Sequence, residues 1–559
     1  MSFAHAIPLP RRSVTRLRAW RVAEQAALAA CIAAAALLRT VAVFRYRIDS
    51  DEPQHLHVVW GWTRGLMQYR DVFDNHMPLF HMLFAPLLRL IGERAEALIF
   101  MRVAMLPLYA ATIVLTYRVA SSCYPRRTAM WSTIVASLVP GYLLCSTEFR
   151  ADDLWTLFWI LTLAILVASP LTPRRAAAAG LVLGLATATS AKTALLFVTL
   201  LAGGAVVLIV TGASKRAAAR IAAMFLATFT IAPAALAAYF AAHGAWQPFV
   251  YGTLVHNLFT RYRPDRFIVL LCLLGLIGIA ARYIYRSAGD GQAGARRLFL
   301  FVTAHFYAAA MFCLWPLIER EHWLPYYPIA AITIAPFVAR ASARRYAIVV
   351  AVEIALVVLF GSLWHNCTGP GIAVVAQTLR LTTPDESVID LKGETVFRRR
   401  AFFYVLESMT KRRMRAGVIR DTIVEDILRT HTMVAAGALR GFPRRARAFL
   451  TRNFVAVGAV RVAGEFLDGS RTTFRLQVPA EYAVMGKQTP FTGTIDGRAY
   501  TGPLYLAAGE HTISGMRRGE LWALVWARAA ARGFSPFRIG PAYPHHPRRR
   551  FHDPLWKWL

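Results

Sequence analysis

The chain has 559 residues, of which 57% are hydrophobic, and its formal net charge is +33. A soluble domain is usually about 45–50% apolar, so this composition excludes an ordinary soluble protein and indicates an integral membrane protein. The basic residues are spread between apolar runs, as expected when Lys and Arg are retained in cytoplasmic loops. No nucleic-acid-binding motif accompanies the positive charge, so we expect membrane lipids and no nucleic acid among the partners.

Residues 1–23 form a basic segment, and an apolar run from about Glu24 to Phe44 follows it. Arg45 and Arg47 come next in place of a small-residue cleavage site, which predicts a first membrane span with a cytoplasmic N-terminus. Ten further apolar runs predict the remaining spans, and they lie near 95–118, 128–146, 153–169, 176–190, 193–211, 219–241, 266–285, 298–318, 325–339 and 345–363.

The distribution of charge supports this count. If about eleven spans alternate, every predicted cytoplasmic loop contains at least two basic residues, and most acidic residues before the C-terminal region fall on the opposite face. The apolar segment Pro78–Gly92 is too short to span and would invert all later loops if it did. We therefore predict that it is a helix lying in the outer membrane interface.

From about residue 366, short alternating segments with Gly and Pro breaks replace the long apolar runs. This pattern predicts an outer α/β portion followed by a small antiparallel β unit. The predicted helices are Ala401–Met414 and Asp421–Thr430, and the predicted strands are Ser387–Leu391, Phe454–Val462, Thr472–Val478, Thr492–Ile495, Ala499–Leu506 and His511–Ser514.

The predicted fold is thus an all-α polytopic membrane bundle with a C-terminal extracytoplasmic α/β plus β domain. We divide the chain into a cytoplasmic N-terminus (1–23), a transmembrane domain (24–365) with an outer loop (45–94), an outer domain (366–542) and a basic, aromatic tail (543–559). The high content of Ala and Arg is typical of a bacterial inner membrane protein, whose outer face is periplasmic.

Ionisable residues near the bilayer are costly and are therefore candidates for function. Three acidic clusters lie on the predicted outer face, at 49–52, 148–153 and 319–322. Carboxylates collected there could act as a general base or hold a divalent cation, a choice that the residues leave open. Basic side chains at the same depth suit a lipid phosphate. The basic candidates are Arg39, Arg45, Arg47, His76, Arg150 and Lys192.

Several sequence segments resemble the GT-C glycosyltransferases, in the branch that holds protein O-mannosyltransferases and the lipid A aminoarabinose transferase. They are Arg-Ile-Asp-Ser-Asp-Glu-Pro after the first span, Asp-Asn-His-Met-Pro-Leu-Phe-His from Asp74, Phe-Arg-Ala-Asp-Asp-Leu-Trp from Phe149, Gly184 to Lys192, and His-Trp-Leu-Pro-Tyr-Tyr-Pro from His322. Together they cover roughly the first 340 residues. Gln54 and His55 stand where the aminoarabinose branch has an arginine soon after its Asp-Glu pair.

The resemblance implies an inverting transfer of a sugar from a polyprenyl-phosphate carrier to an acceptor at the outer face, without a covalent sugar–enzyme intermediate. It implies Asp51 as the base, Glu52 as its support, and a second acidic residue that is either Asp152 or Asp153. It also implies donor or acceptor binding by the candidates His55, Glu319, His322 and Tyr326, together with the basic residues named above.

The acceptor implied by the resemblance is a glycan, a glycolipid or a protein. Two other functions are compatible with a polytopic bundle. A transporter or flippase of a lipid-linked sugar would place its ionisable groups near mid-span, whereas here they lie in loops and at span ends. A catalytically silent assembly protein would not need both acidic motifs.

Overall fold

The computed structural model describes residues 11–258, 264–287, 291–315, 318–339, 343–469, 472–487, 489–517 and 519–538. The predicted tail at 543–559 lies outside the described residues. Helices form the part of the chain before residue 365. They are α1 (Arg11–Arg45), α2 (Asp51–Thr63), α3 (Leu79–Ile91), α4 (Ala97–Ser121), α5 (Arg126–Leu138), α6 (Pro140–Cys145), α7 (Ala151–Val167), α8 (Pro173–Thr189), α9 (Thr193–Thr211), α10 (Lys215–Phe229), α11 (Ile231–Ala242), α12 (Trp246–Val250), α13 (Pro264–Ser287), α14 (Gln292–Leu314), α15 (Tyr326–Ala339) and α16 (Ala343–Gly361).

Each of the eleven predicted spans coincides with one helix or with two consecutive helices. Within the described ranges, six segments are long and apolar enough to cross a membrane, namely Val22–Arg45, Ala97–Ser121, Thr193–Thr211, Lys215–Ala242, Arg266–Arg286 and Gln292–Leu314. The shorter helices pack among them: α7 contacts α4 and α8, and α5 contacts α15 and α16. The polytopic membrane bundle predicted from the sequence is confirmed.

Two glycines let the backbones of α8 and α10 approach closely. A Cβ atom added to Gly180 would lie 2.1 Å from the carbonyl oxygen of Phe225, and one added to Gly184 would lie 2.4 Å from that of Phe229. Small residues at such spacing are typical of tightly packed membrane helices. This packing fixes α8, and with it the short 190–192 connection that leads into α9.

The helices α2 and α3 lie between the first two long spans and pack against each other. Helix α3 occupies the segment predicted as an interfacial helix, and it also contacts α4, α7 and α8. Most of α2 is buried, from Glu52 to Gly61. The loop between the first spans is therefore a packed layer over one end of the bundle.

Among the described residues after 365 there are five α-helices and eleven strands. The helices are α17 (Gly369–Leu381), α18 (Ser408–Arg415), α19 (Ile423–Arg429), α20 (Arg444–Asn453) and α21 (Ala527–Ala531). The strands are β1 (Val388–Ile389), β2 (Val434–Ala435), β3 (Phe454–Val457), β4 (Val460–Asp468), β5 (Thr473–Leu476), β6 (Ala480–Gly486), β7 (Thr494–Ile495), β8 (Arg498–Ala499), β9 (Leu504–Leu506), β10 (Gly509–Ser514) and β11 (Leu521–Trp526).

The strands form two sheets. The larger has seven strands in the order β1-β2-β4-β11-β6-β9, with β3 pairing onto β4, and the smaller has the order β5-β10-β7-β8. Only the β1–β2 pair is parallel among the described pairs. One hydrophobic core extends from Val374 to Ala529. The α/β and β portions predicted as successive units therefore share a sheet and a core.

Several local predictions in this region were wrong. The predicted strand Phe454–Val462 is a hairpin of β3 and β4, since Gly458 takes a positive φ of 75° and turns the chain. The predicted helix from Ala401 begins only at Ser408, because the Glu407 carboxylate accepts the backbone N–H groups of Met409 and Thr410 and caps α18 there.

Candidate active site

The first turn of α2 carries two adjacent carboxylates with different surroundings. Glu52 is fully buried and accepts hydrogen bonds from Arg102 at 2.5 and 2.6 Å, and from the backbone N–H groups of Asp49 and Phe149, both at 2.8 Å. The Asp51 side chain is 19% exposed, and it pairs with Arg150. Glu52 therefore joins the outer loop to two other segments, whereas Asp51 is the accessible carboxylate.

Arg150 lies at the centre of the acidic residues. It immediately precedes α7, and its side chain is only 5% exposed. The carboxylates around it belong to all three acidic clusters: Asp49 at 3.0 Å, Asp51 at 2.9 Å, Glu148 at 3.8 Å, Asp152 at 3.3 Å and Glu321 at 2.7 Å. The structure thus brings together segments that the sequence separates by more than a hundred residues.

Lys192 provides a second cation beside this cluster. It lies in the short connection between α8 and α9, its ammonium pairs with Asp152, and it sits 4.9 Å from the centre of the Trp155 ring. The buried His322 lies close by, and burial together with the positive charge of Lys192 holds the pKa of this imidazole well below its usual range. His322 is therefore neutral at physiological pH.

Asp152 and Asp153 occupy different environments although they are neighbours. Asp152 is held by Lys192 and Arg150. Asp153 is buried with one carboxylate oxygen that has no hydrogen-bond partner. Arg39 is buried too, and it donates to the carbonyl of Leu143 at 2.8 Å and to the hydroxyl of Ser146 at 2.7 Å. Asp152 is therefore the member of the pair that contacts the Arg150 cluster.

A polar network of histidines lies behind Asp51. The Nδ1 atom of His76 is 2.8 Å from Asp74, and this contact, with a further contribution from the charge of Asp51, raises the pKa of His76 despite its burial. The ring centres of His55 and His76 are 4.4 Å apart. The Nδ1 atom of His55 lies 2.8 Å from the Nε2 atom of His81. Burial lowers the pKa of His55 well below its usual range. His76 is therefore the member of this group that most readily holds a positive charge.

The cations around Asp51 and Asp49 lower the pKa of both carboxyl groups. Burial opposes ionisation, but Lys392 and Arg150 hold the pKa of Asp51 well below its usual range. Arg47 and Arg150 likewise lower the pKa of Asp49. Both groups are therefore ionised at neutral pH.

Two other carboxyl groups, those of Glu148 and Glu319, have a raised pKa. Burial and the neighbouring charge of Asp49 raise the pKa of Glu148 well above its usual range. Burial and the negative charges of Glu321, Asp51 and Asp49 raise the pKa of Glu319 to about 7. The cluster therefore contains carboxyl groups that are neutral, or only partly ionised, at physiological pH.

The structure gathers most of the candidate residues and separates others. Arg47 joins the cluster through Asp49 at 2.9 Å. Arg45 is exposed, and its guanidinium donates to the carbonyl of Leu363 at 3.4 Å. Tyr326 packs on Trp323, with a ring separation of 5.8 Å. The candidates in or beside the cluster are Asp51, Arg47, His76, Arg150, Asp152, Lys192, Glu319 and His322, whereas Arg39, Arg45, Glu52, His55, Asp153 and Tyr326 lie behind it or apart from it.

Two residues that shape the site were missed in the sequence. Arg102 lies in the first turns of α4. A charged residue within an apolar run is a candidate for function, so the sequence contained a signal for this residue. Lys392 lies in the loop after β1, and its ammonium pairs with Asp51 and lies 3.2 Å from the hydroxyl of Ser50. Nothing in the local sequence around Lys392 indicates this contact, because it joins positions 341 residues apart.

Among the described residues, no group of three or more His, Cys, Asp or Glu side chains is arranged to hold a metal ion. The carboxylates of the cluster face arginine and lysine side chains instead. A divalent cation such as Mg²⁺ or Ca²⁺ needs several free oxygen ligands. This donor set does not fit such an ion.

The chain matches no family model and no curated protein. Its structure is similar to that of ArnT from Cupriavidus metallidurans, with a TM-score of 0.56 and 13% identity over 79% of this chain and 98% of ArnT. It is also similar to the structure of the same protein bound to undecaprenyl phosphate, with a TM-score of 0.55 and 12% identity over 78% of this chain and 97% of ArnT.

These similarities define the class of fold. ArnT is a multi-pass membrane protein of the GT-C class, and this chain has the same fold over nearly the whole length of ArnT. The GT-C resemblance recognised in the sequence is confirmed at the level of the fold. Because fold does not by itself assign an activity, the function is argued from the site.

Proposed function

We propose that this protein is an inverting glycosyltransferase that moves a sugar from a polyprenyl-phosphate carrier to a hydroxyl of a glycan, glycolipid or protein. Its proposed place is a bacterial inner membrane, with the site facing the periplasm. The observation that carries the proposal is the position of Asp51, an ionised and accessible carboxylate surrounded by the cations Arg150, Lys392 and His76. A base and a phosphate-binding set are the two elements that this reaction requires.

In the proposed reaction, Asp51 accepts the proton of the acceptor hydroxyl as its oxygen attacks the anomeric carbon of the sugar. A new bond forms between that carbon and the acceptor oxygen. The bond from the carbon to the phosphate oxygen breaks, and its electron pair leaves with the polyprenyl phosphate. Attack and departure occur on opposite faces of the sugar ring, so the anomeric configuration is inverted.

The cations have the task of stabilising the charge that develops on the leaving phosphate. Fixed positive groups in a partly dehydrated site do this efficiently, since they need no reorganisation during the reaction. Lys192 and Arg150 are held in place by Asp152, and His76 is held by Asp74. The similarity to ArnT bound to undecaprenyl phosphate supports a lipid phosphate as the ligand.

Glu52, Asp152 and Asp153 have supporting roles in this proposal. Glu52 is saturated by Arg102 and two backbone N–H groups, so it positions the loop that carries Asp51. Asp152 orients both Arg150 and Lys192. Asp153 forms no ion pair with Arg150 among the described contacts, and the proposal gives it no part in the proton transfer. No step of the reaction needs a metal ion.

The test uses purified protein in lipid nanodiscs with a mixture of polyprenyl-phosphate sugars and extracted envelope glycans and glycolipids. Mass spectrometry follows the release of free polyprenyl phosphate and the mass gained by the acceptor. We expect both to appear together and to depend on the protein and on the acceptor. Nuclear magnetic resonance of the product is expected to show the anomeric configuration opposite to that of the donor.

A different outcome would favour a different class of protein. If labelled donor crosses the bilayer of proteoliposomes intact and no carrier phosphate is released, the transporter function replaces the transferase. If carrier phosphate is released without an acceptor product, water is the acceptor and the protein is a hydrolase of the donor.

Glu319 predicts a pH dependence of donor binding. Its pKa is about 7, so its carboxyl group becomes negatively charged as the pH rises from 6 to 8. A phosphodiester keeps its single negative charge across this range, and the new charge therefore repels it. We expect KM for the donor to rise about 2–5-fold between pH 6 and 8, as for an interaction of roughly 0.5–1 kcal/mol.

The substitution Glu319→Gln is expected to remove most of this rise and to leave kcat unchanged. Glu96→Gln serves as the control, because Glu96 is an exposed carboxylate that immediately precedes α4. A donor KM in Glu319→Gln that depends on pH as strongly as in the wild type would show that another group, such as His76, is responsible.

A further inference from the structure

One rigid loop of the C-terminal region reaches the candidate active site. It runs from Asp390 to Arg400, and the fully buried Asp390 carboxylate organises it. Asp390 accepts the backbone N–H of Gly393 at 3.0 Å, the N–H and hydroxyl of Thr395 at 3.1 and 2.7 Å, and the Nε–H of Arg400 at 2.7 Å. A loop with this many internal hydrogen bonds has a defined conformation.

The loop is also docked on the outer helix α2 and the segment that follows α3. The carbonyl of Val396 lies 2.6 Å from Nδ1 of His57, and Arg398 pairs with Glu93 at 3.1 Å. Gly393 has a φ of 98°, and an added Cβ would lie 3.0 Å from that of His57. The close approach and the positive φ both favour glycine here.

The Lys392 side chain contrasts with this fixed backbone. Its backbone N–H donates to Glu394 at 2.7 Å, whereas its ammonium contacts only Ser50 and Asp51 among the described residues. The charged groups that act on it are Asp51 and Asp49, which attract it, and Arg150 and Lys411, which repel it. A lysine has a long, flexible stem, so its ammonium can change partner while its backbone stays in place.

We propose that Lys392 is a ligand for the donor phosphate, and that its ammonium passes from Asp51 to that phosphate when the donor binds. This inference rests on the proposed function. The exchange has a chemical consequence, because a carboxylate that holds an ammonium is a poor proton acceptor. Removal of Lys392 by the phosphate frees the Asp51 oxygen at the moment when the sugar is in place.

The exchange also explains why the contact is made by a lysine from a distant part of the chain. A permanent docking contact is already provided by Arg398 and Glu93, with Trp60 donating to the same carboxylate at 2.8 Å. A second ion pair directly on the accessible carboxylate is not required for docking. It couples donor binding to the basicity of Asp51.

The test measures the binding of undecaprenyl phosphate to full-length protein in nanodiscs, together with the steady-state kinetics of the transfer. We expect Lys392→Gln to weaken undecaprenyl phosphate binding and to raise KM for the donor, each by about tenfold or more, as for loss of a charged hydrogen bond. Lys392→Arg should recover part of the affinity.

A second readout separates this role from a purely structural one. In the free enzyme, loss of the ammonium raises the pKa of Asp51, so the acidic limb of the pH profile of kcat/KM should move to higher pH in Lys392→Gln. Two controls should leave binding and the pH profile unchanged. Glu93→Gln weakens the docking contact of the same loop, and Lys487→Gln removes one positive charge at an exposed site of the C-terminal region.

Equal binding by the wild type and Lys392→Gln, with an unmoved acidic limb, would overturn the inference and leave the proposed function standing. An equal loss of affinity in Glu93→Gln would also overturn it, because docking of the loop would then explain the effect. A wild-type protein that neither binds undecaprenyl phosphate nor releases it from a donor would overturn this inference and the proposed function together.

Discussion

Replacing Asp51 with asparagine is expected to lower kcat by about 10²–10⁴-fold, the usual contribution of a general base. Asparagine has nearly the same shape and can still accept a hydrogen bond from Arg150, so the folded structure should persist. It cannot accept the acceptor proton. Since Asp51 acts in the chemical step, KM for the donor should change far less than kcat. Release of polyprenyl phosphate in single-turnover experiments measures the effect directly.

The matched control is Asp71→Asn. Asp71 lies in the same outer loop, and the same charge is removed from an exposed pair with Arg70 at 2.9 Å. Exposed ion pairs contribute about 0–1 kcal/mol, so turnover should be close to that of the wild type. If Asp51→Asn retains the wild-type kcat, Asp51 is not the base. Asp49 is then the next candidate, because its side chain is 18% exposed and forms ion pairs with Arg47 and Arg150.

Replacing Arg102 with methionine is expected to destabilise the protein by about 3–5 kcal/mol, as for a buried ion pair that loses one partner. Arg102 donates to Glu52, and also to the carbonyls of Val43, Tyr46 and Arg47 at 3.3, 2.9 and 2.7 Å. Its removal leaves the Glu52 charge buried without a cation. It also releases the segment that leads from α1 to Asp51, so turnover should fall with stability.

Thermal unfolding in detergent, followed by size-exclusion chromatography of the remaining folded fraction, measures this effect. Arg127→Met is the control, because Arg127 forms an ion pair of the same length, 2.5 Å, with Glu24 in a more exposed place. The double variant Arg102→Met with Glu52→Leu should recover part of the lost stability, since the buried charge is gone. Similar melting temperatures for Arg102→Met and Arg127→Met would show that the Glu52 pair contributes no more than a surface contact.

The sequence allowed the bundle to be predicted because membrane spans leave a strong local signal. Long apolar runs and basic loops identify the helices, and Pro78–Gly92 was assigned correctly as a helix because of its length and the charge pattern around it. The acidic clusters at 49–52, 148–153 and 319–322 were recognisable for the same reason, as charges beside apolar segments. That the three clusters meet around Arg150 could not be predicted, because it depends on the tertiary structure.

The C-terminal region was harder to predict. Its strands are short, and β6 and β9 of the larger sheet alternate along the chain with strands of the smaller sheet, so neighbouring segments of the chain do not pair in order. The helices α17 and α20 were missed, since they are short, with 13 and 10 residues. The contact of Lys392 with Asp51 depends on how this region docks, which no local pattern specifies.

The order of the strands in the larger sheet has a consequence for the biogenesis of this protein. Strand β11 lies between β4 and β6 and is formed by residues 521–526, which follow all the other strands of the sheet in the sequence. Central strands cannot pair before they are synthesised, and such distant pairings form late in folding. The loop that carries Lys392 belongs to the region that this strand completes. Completion of the site therefore awaits synthesis of β11, and a nascent chain that stalls before residue 521 carries the acidic clusters without Lys392 fixed beside Asp51.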